Sequence, residues 1–200
     1  MASGSSFGTG PYDAILDIAT AIVASGSVET SLQTITENVA RAMFSEAASL
    51  GTYYADKNEF IHEAEWREGG LKAAQRSEIG RVVNLTEEPE LRAVLEGRRV
   101  REYHIDDPSL SPMYRDYLTR RGLKTGIDCP LVFGSKVIGL LGLEESRFVR
   151  RFTASEQTLF TRLCELAAIG IHTARQTRRV QELERQVADL KRGGAPSATV

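Results

Sequence analysis

Asp128 is the residue whose chemistry most needs an explanation. It stands between Ile127 and Cys129 in the apolar run from Gly126 to Val132. A carboxylate in such a strand loses its hydration and needs a donor. Two arrangements supply one: backbone amides or an arginine at a sheet irregularity, or a donor carried by a ligand into a pocket. Trp66, Tyr103, Tyr114 and Tyr117 are rings with polar tips, the side chains against which a small planar ligand stacks, and Met113 could line the same space. Ordinary cores use the same rings, so both uses stay open. His62, His104 and His172 show no spacing suited to a metal. His104 lies beside Asp106 and Asp107, but with no second nitrogen or sulfur ligand nearby the segment reads as a solvated acidic loop. Cys129 and Cys164 sit in apolar surroundings and read as reduced core thiols. There is no glycine-rich phosphate loop, nucleophile elbow or kinase signature. No catalytic residue, metal site or cofactor is expected.

The elements that must position these residues centre on 124–145, KTGIDCPLVFGSKVIGLLGLEE. Two strands, Gly126 to Val132 and Lys136 to Leu143, flank the turn Phe133-Gly134-Ser135, a hairpin pattern. Val137, Leu141 and Leu143 fall on one face of the second strand and Ile138 and Leu140 on the other, so both faces must be covered. Pro130 removes a ladder donor and marks an irregularity or a cavity edge. Upstream, helices are expected over Tyr12 to Val23 and Val28 to Met43, the second capped by Ser27. Strands follow over Ala48 to Tyr54 and Glu59 to Trp66, joined by Asp56-Lys57-Asn58. A loop from Arg67 to Gly80 leads to a short extended piece at 81–83. A helix over Glu88 to Glu96 is stopped by Gly97. A strand over Val100 to Ile105 and a short helix over Pro112 to Arg121 complete the approach to the hairpin.

The order "small polar, apolar, x, apolar, Pro-Leu, turn, Ile-Gly-Leu-Leu-x-Leu, then Phe-Thr and a long helix" resembles the GAF family of sensory domains. Thr125, Ile127, Cys129-Pro130-Leu131, Gly134, Ile138-Gly139-Leu140-Leu141, Leu143 and Phe152-Thr153 carry the resemblance, which covers roughly residues 12 to 178. It implies an α/β (α+β) fold: a central antiparallel sheet of five or six strands, helices on both sides, and a long C-terminal helix. It also implies that the first, second and last helices share one sheet face and that a ligand pocket lies on the other. The roof would come from residues 67–121, and Gly126 and Asp128 would belong to the floor. The implied ligand-binding residues are Trp66, Tyr103, Met113, Tyr114, Tyr117 and Asp128. Specialised members fit less well. Glu144-Glu145 and Glu156-Gln157 stand where cyclic-nucleotide binders carry Asn-Lys and Asp-Glu. Residues 106–124 lack the cysteine of bilin binders, and Lys124 replaces the histidine of haem binders. The loop cysteines of free-methionine sulfoxide reductases have no counterpart.

A chain of 200 residues with a formal net charge of -2 offers one domain plus an appendage and no basic face for nucleic acid. No apolar stretch is long enough for a bilayer and no signal peptide is visible, so a cytoplasmic protein is expected. Residues 1–10 read as a tail or cloning remnant, 11–178 as the GAF-like domain, 179–192 as a projecting coiled-coil helix and 193–200 as a second tail. The last helix, from about Ser155 to Arg192, is on the order of 55 Å long and outruns a compact domain. Leu159, Leu163, Leu166 and Ile169 suit packing on the sheet. Val180, Leu183, Val187 and Leu190 keep the spacing of a coiled-coil seam, with Thr173 and Gln176 on its backward extension. With Val180 at position a, Arg179 at g and Glu184 at e attract between parallel chains. Either a parallel homodimer or packing back on the domain would cover that stripe. The expected role is a non-enzymatic sensor that binds an unidentified small molecule and signals to an output domain such as a kinase, cyclase, phosphatase or transcription activator. A ligand-free dimerisation module and a small-molecule-modifying enzyme on the same scaffold are the alternatives.

Overall fold

A computed structural model describes residues 27–70 and 77–193. The helix expected over Tyr12 to Val23 lies outside them. Helix α1, Val28–Ala42, starts where Ser27 Oγ accepts from the Thr30 amide at 3.1 Å, and it buries Leu32, Ile35 and Val39. Strands β1, Ala47–Tyr54, and β2, Glu59–Arg67, form the first hairpin, with Asn58 at φ 54° closing its turn. The three-residue edge strand β3, Val82–Asn84, precedes helix α2, Pro89–Gly97. That helix ends at Arg98 in the left-handed conformation, one residue beyond the expected glycine stop. Strand β4, Arg101–His104, follows. Helix α3, Pro112–Arg121, is bounded by a Ser111 cap, Pro112 in its first turn and Gly122 at φ 68°, each in the role its type suits. Strands β5, Thr125–Phe133, and β6, Lys136–Glu145, turn at Gly134, whose φ is 60°.

Helix α4, Ala154–Gly193, contains 40 residues. Its start is a capping box: Thr153 Oγ1 accepts from the Glu156 amide at 3.2 Å, and Glu156 Oε2 accepts from the Thr153 amide at 2.8 Å.

The six strands make one antiparallel sheet in the order β3-β2-β1-β6-β5-β4, so two sequence-local hairpins meet at β1 and β6. Helices α1 and α4 cover one face with a core that includes Ile35, Val39, Ile127, Leu141, Phe160 and Leu163. Phe60, Val83, Leu95, Tyr103 and Leu118 form a second core on the other face, with α2 and α3 over it. Both faces are therefore sealed, as the two-sided apolar pattern of β6 requires.

Three side chains depart from the expected faces. Leu131 pairs with Gly139 but Val132 with Val137, which leaves Ile138 as a bulge residue. Ile138 consequently packs on the helix-side core with Leu141 and Leu143, while Val137 joins Leu140 on the opposite face. Pro130 sits one residue before this break. Ile169, expected on the sheet, is 51% exposed, and Ala167, Ala168 and Ile171 take the buried positions instead.

Where β1 meets β6, the Gly139 position has no room for a side chain. A Cβ on Gly139 would lie 2.2 Å from Gly51 O. Gly139→Ala should therefore lower stability by roughly 2–3 kcal/mol, read as an earlier urea unfolding midpoint with the slope unchanged. A midpoint within error of the parent would show that the two strands can part without cost.

Candidate functional site

The face of the sheet under α3 holds a cavity of about 70 Å³. Register builds its floor: Ser49 of β1 pairs with Gly142 of β6, and Gly142 pairs with Asp128 of β5. Gly142 makes the recess. A Cβ there would lie 2.6 Å from Asp128 Oδ1 and 3.5 Å from Ser49 Oγ. Leu140, Gly126 and Glu144 extend the floor, and His62 of β2 forms one wall. The roof comes from α3, where Tyr114 and Tyr117 project on successive positions of the same face.

The rings lie in a row, each tilted against the next. Tyr114 lies 4.2 Å from Tyr103 and 5.4 Å from Tyr117 between centroids, and Tyr114 Oη donates to Asp128 Oδ2 at 3.3 Å. Arg101 covers Tyr103 at 5.0 Å and Arg121 covers Tyr117 at 5.7 Å. Burial drives the phenols of Tyr103, Tyr114 and Tyr117 far above the ordinary tyrosine range, so they remain neutral donors.

Charges at the rim are paired. Glu144 meets Arg67 at 2.8 Å and Arg121 at 3.3 Å, and Arg121 also reaches Glu78 at 2.9 Å. Arg81 holds Glu78 at 2.6 Å. Asp128 differs: among the described residues it makes no ion pair. Desolvation lifts its carboxyl to about 7, with the Tyr114 bond and the Arg101 charge opposing that rise and Glu144 adding to it. His62 moves the other way. Burial lowers its imidazole to about 4, and its Nδ1 is buried without a hydrogen-bond partner among the described residues.

Of the residues expected at a ligand site, Tyr114, Tyr117 and Asp128 line the cavity, and Tyr103 packs directly behind Tyr114. Trp66 does not join them. It packs on the helix-side core with Arg41 5.1 Å over its ring. The cause is a bulge: Gly51 pairs with His62 and Leu50 with Ala64, so Glu63 is extra and Ala64 and Trp66 turn away from the face of Phe60 and His62. Met113 is 39% exposed on α3 and lies outside the cavity lining. Ser49, His62 and Gly142 were not expected. His62 alternates with Phe60 and so carries a weak local signal, whereas Ser49 and Gly142 enter only through strand register. Cys129 and Cys164 are buried in the helix-side core as free thiols. No group among the described residues could hold a metal ion, and no helix there is long and apolar enough to cross a membrane.

The raised Asp128 and the lowered His62 act oppositely on stability. An unfolded aspartate titrates near ~3.9, so the folded state holds the Asp128 proton more tightly and loses stability as pH rises from about 4 to about 7. An unfolded histidine titrates near ~6.5, so the contribution of neutral His62 is complete above that pH and is lost as pH falls towards about 4. Asp128→Asn leaves the second slope unopposed. Its urea midpoint should climb more steeply than the parent's from about pH 4.5 to 6.5 and gain further on it up to about pH 8. Parallel midpoint curves would mean that the carboxylate is well hydrated.

A family model for the GAF domain matches residues 27–171. Among solved structures, the fold is similar to the phycoerythrobilin-bound GAF domain from a cyanobacterial phytochrome. That match has TM-score 0.70 and 16% identity, over 84% of this chain and 96% of that one. The phycocyanobilin-bound GAF domain from a cyanobacterial phytochrome is similar at TM-score 0.69 and 15% identity, over 84% and 96%. Bacteriophytochrome RpBphP3 from R. palustris matches at TM-score 0.72 and 14% identity over 90% of this chain, which spans only 40% of that structure's length. A comparison with curated proteins found no match. With a family match across most of its length, and the sheet and helices arranged as that family requires, the chain belongs to the GAF domain family.

Proposed function

We propose that this chain is the non-enzymatic sensory domain of a cytoplasmic signalling protein, in which a small molecule enters the cavity under α3 and shifts the helices on the opposite sheet face. One observation carries the reading: the cavity wall and the output helix are joined through a single strand. His62 lines the cavity. Its neighbour Glu63, freed from pairing by the bulge, accepts from Arg175 Nη2 of α4 at 2.9 Å and from the Thr52 hydroxyl. Arg178 of α4 meets Glu29 of α1 at 2.8 Å, and His172 stacks on Phe133 with centroids 3.8 Å apart. A ligand that displaces the α3 tyrosines and presses on His62 changes the seat of α4, provided it binds the two arrangements with different affinity.

Beyond Arg175 the helix leaves the sheet. Val180, Leu183, Val187 and Leu190 are between 49% and 76% exposed. Exposed Ile169 falls on the same heptad register, with Thr173 and Gln176 between. A stripe of that length favours a parallel homodimer, and the rod would deliver the signal to a kinase, cyclase, phosphatase or transcription activator. Two free buried thiols suit a reducing compartment.

The similar phytochrome domains hold bilins, but this cavity does not fit a covalently held tetrapyrrole. It is small, and both described thiols lie across the sheet from it.

Two measurements test the reading. Ending the chain after Arg179 keeps the Arg175–Glu63 and Arg178–Glu29 bonds yet removes most of the stripe, so the dimer fraction in light scattering should fall. An unchanged scattering mass removes the seam. Glu63→Gln should uncouple cavity from helix. Resonances of α4 should then stop responding to a ligand that still shifts Tyr114 and Tyr117, whereas an undiminished α4 response would assign the signal another route.

A further inference from the structure

We infer that the ligand is a small organic cation carrying N–H donors, an amine or amidinium, with Asp128 as its counter-ion; this rests on the cavity being a ligand site. Three polar atoms at the recess can accept a hydrogen bond from a ligand, beside the neutral phenols of Tyr114 and Tyr117. Asp128 Oδ1 accepts no hydrogen bond among the described residues, because the Tyr114 phenol is bonded to Oδ2. Ser49 Oγ faces the same point above Gly142 and is likewise free of side-chain hydrogen bonds there. His62 Nδ1, buried without a partner among the described residues, joins them in the tautomer that carries its proton on Nε2.

The alternatives leave something unmatched. The other lining carboxylates already face guanidinium groups, Glu144 with Arg67 and Arg121, and Glu88 with Arg81 at 3.9 Å. An anionic ligand would find those guanidinium groups already ion-paired, with only Arg121 Nε lacking a partner among the described residues, and would meet Asp128 and Glu144 at close range. A purely apolar ligand would bury Asp128 with one long hydrogen bond to its name, which costs free energy. A cation supplies the missing charge and up to three donors, and the faces of Tyr114 and Tyr117 favour it further. The cavity volume of about 70 Å³ admits a small head group.

Protonation follows the same logic. Desolvation holds Asp128 up at about 7, with Glu144 adding to the rise and Tyr114 and Arg101 opposing it. Around it, the phenols of Tyr103, Tyr114 and Tyr117 stay neutral, His62 is lowered to about 4, and burial raises Glu88. Across pH 6 to 8, Asp128 is therefore the group that must release its proton when a cation binds. With half-titration near about 7, affinity should rise roughly tenfold between about pH 6 and pH 8.

Calorimetric and NMR titrations with benzamidinium and propylammonium test this, with benzamide and benzoate as the neutral and anionic counterparts. Benzamidinium should bind best and tighten roughly tenfold from about pH 6 to 8. Asp128→Asn should weaken it at least about tenfold and erase the pH dependence. Gly142→Ala keeps every charge while crowding the recess, and it should also weaken binding, so a folding defect in one variant does not decide the question. Equal or tighter binding of benzamide or benzoate, or cation binding that survives Asp128→Asn, overturns the assignment. If the cations are silent while another small molecule shifts Tyr114 and Tyr117, the ligand class is wrong but the cavity still binds. If those tyrosines respond to nothing, both this inference and the sensory reading fall.

Discussion

Where β1 meets β6 at Gly139 there is room for backbone and nothing else. Gly51 and Gly139 lie diagonally across the ladder, so close that a methyl group on Gly139 would strike the Gly51 carbonyl. This contact joins the N-terminal hairpin to the C-terminal one and makes a single six-stranded sheet out of two local units. It also sets the register that puts Ser49, Gly142 and Asp128 in one row. A slip of one residue would exchange the two faces of a hairpin and scatter that row. The cavity is thus a product of strand alignment as much as of side-chain choice.

The half-buried carboxylate follows from that alignment. Asp128 is held on a face where its neighbours in the row are a glycine and a serine, so no side chain in the row fills the space and none pairs with the carboxylate. Surrounding acids are matched by Arg67, Arg81 and Arg121, which form a continuous band of ion pairs along the rim. Within that band Asp128 is the lining aspartate that makes no ion pair among the described residues. Sites of this kind are where structures trade stability for recognition.

Much of this was legible in the chain. The β5–β6 hairpin, the helix over Pro112 to Arg121 and the long last helix rest on local signals: a glycine turn, a Ser-Pro start, a Thr-x-x-Glu box. Asp128 declared itself by its apolar neighbours, and Tyr114 and Tyr117 as rings with polar tips in the segment expected to form the roof. What escaped were the two bulges. Neither Glu63 nor Ile138 looks unusual in its strand, yet each reverses the alternation beyond it, moving Trp66 and Ile138 to faces that period-two counting does not allow. Ser49 and Gly142 escaped for a related reason, since their meaning lies in pairing between distant strands. Met113 was placed by proximity in sequence to the tyrosines, but one residue on a helix turns a side chain by about 100° and sends it to solvent.

The reach of α4 has a mechanical corollary. Its last seat on the sheet is Arg175, and Leu190 lies fifteen residues further along a continuous helix, about 22 Å away at 1.5 Å per residue. A tilt of only about 10° at that seat carries the far end through roughly 4 Å, most of a helical turn. Any tilt at that seat would thus be magnified at the tip by leverage alone, with no deformation of the core required.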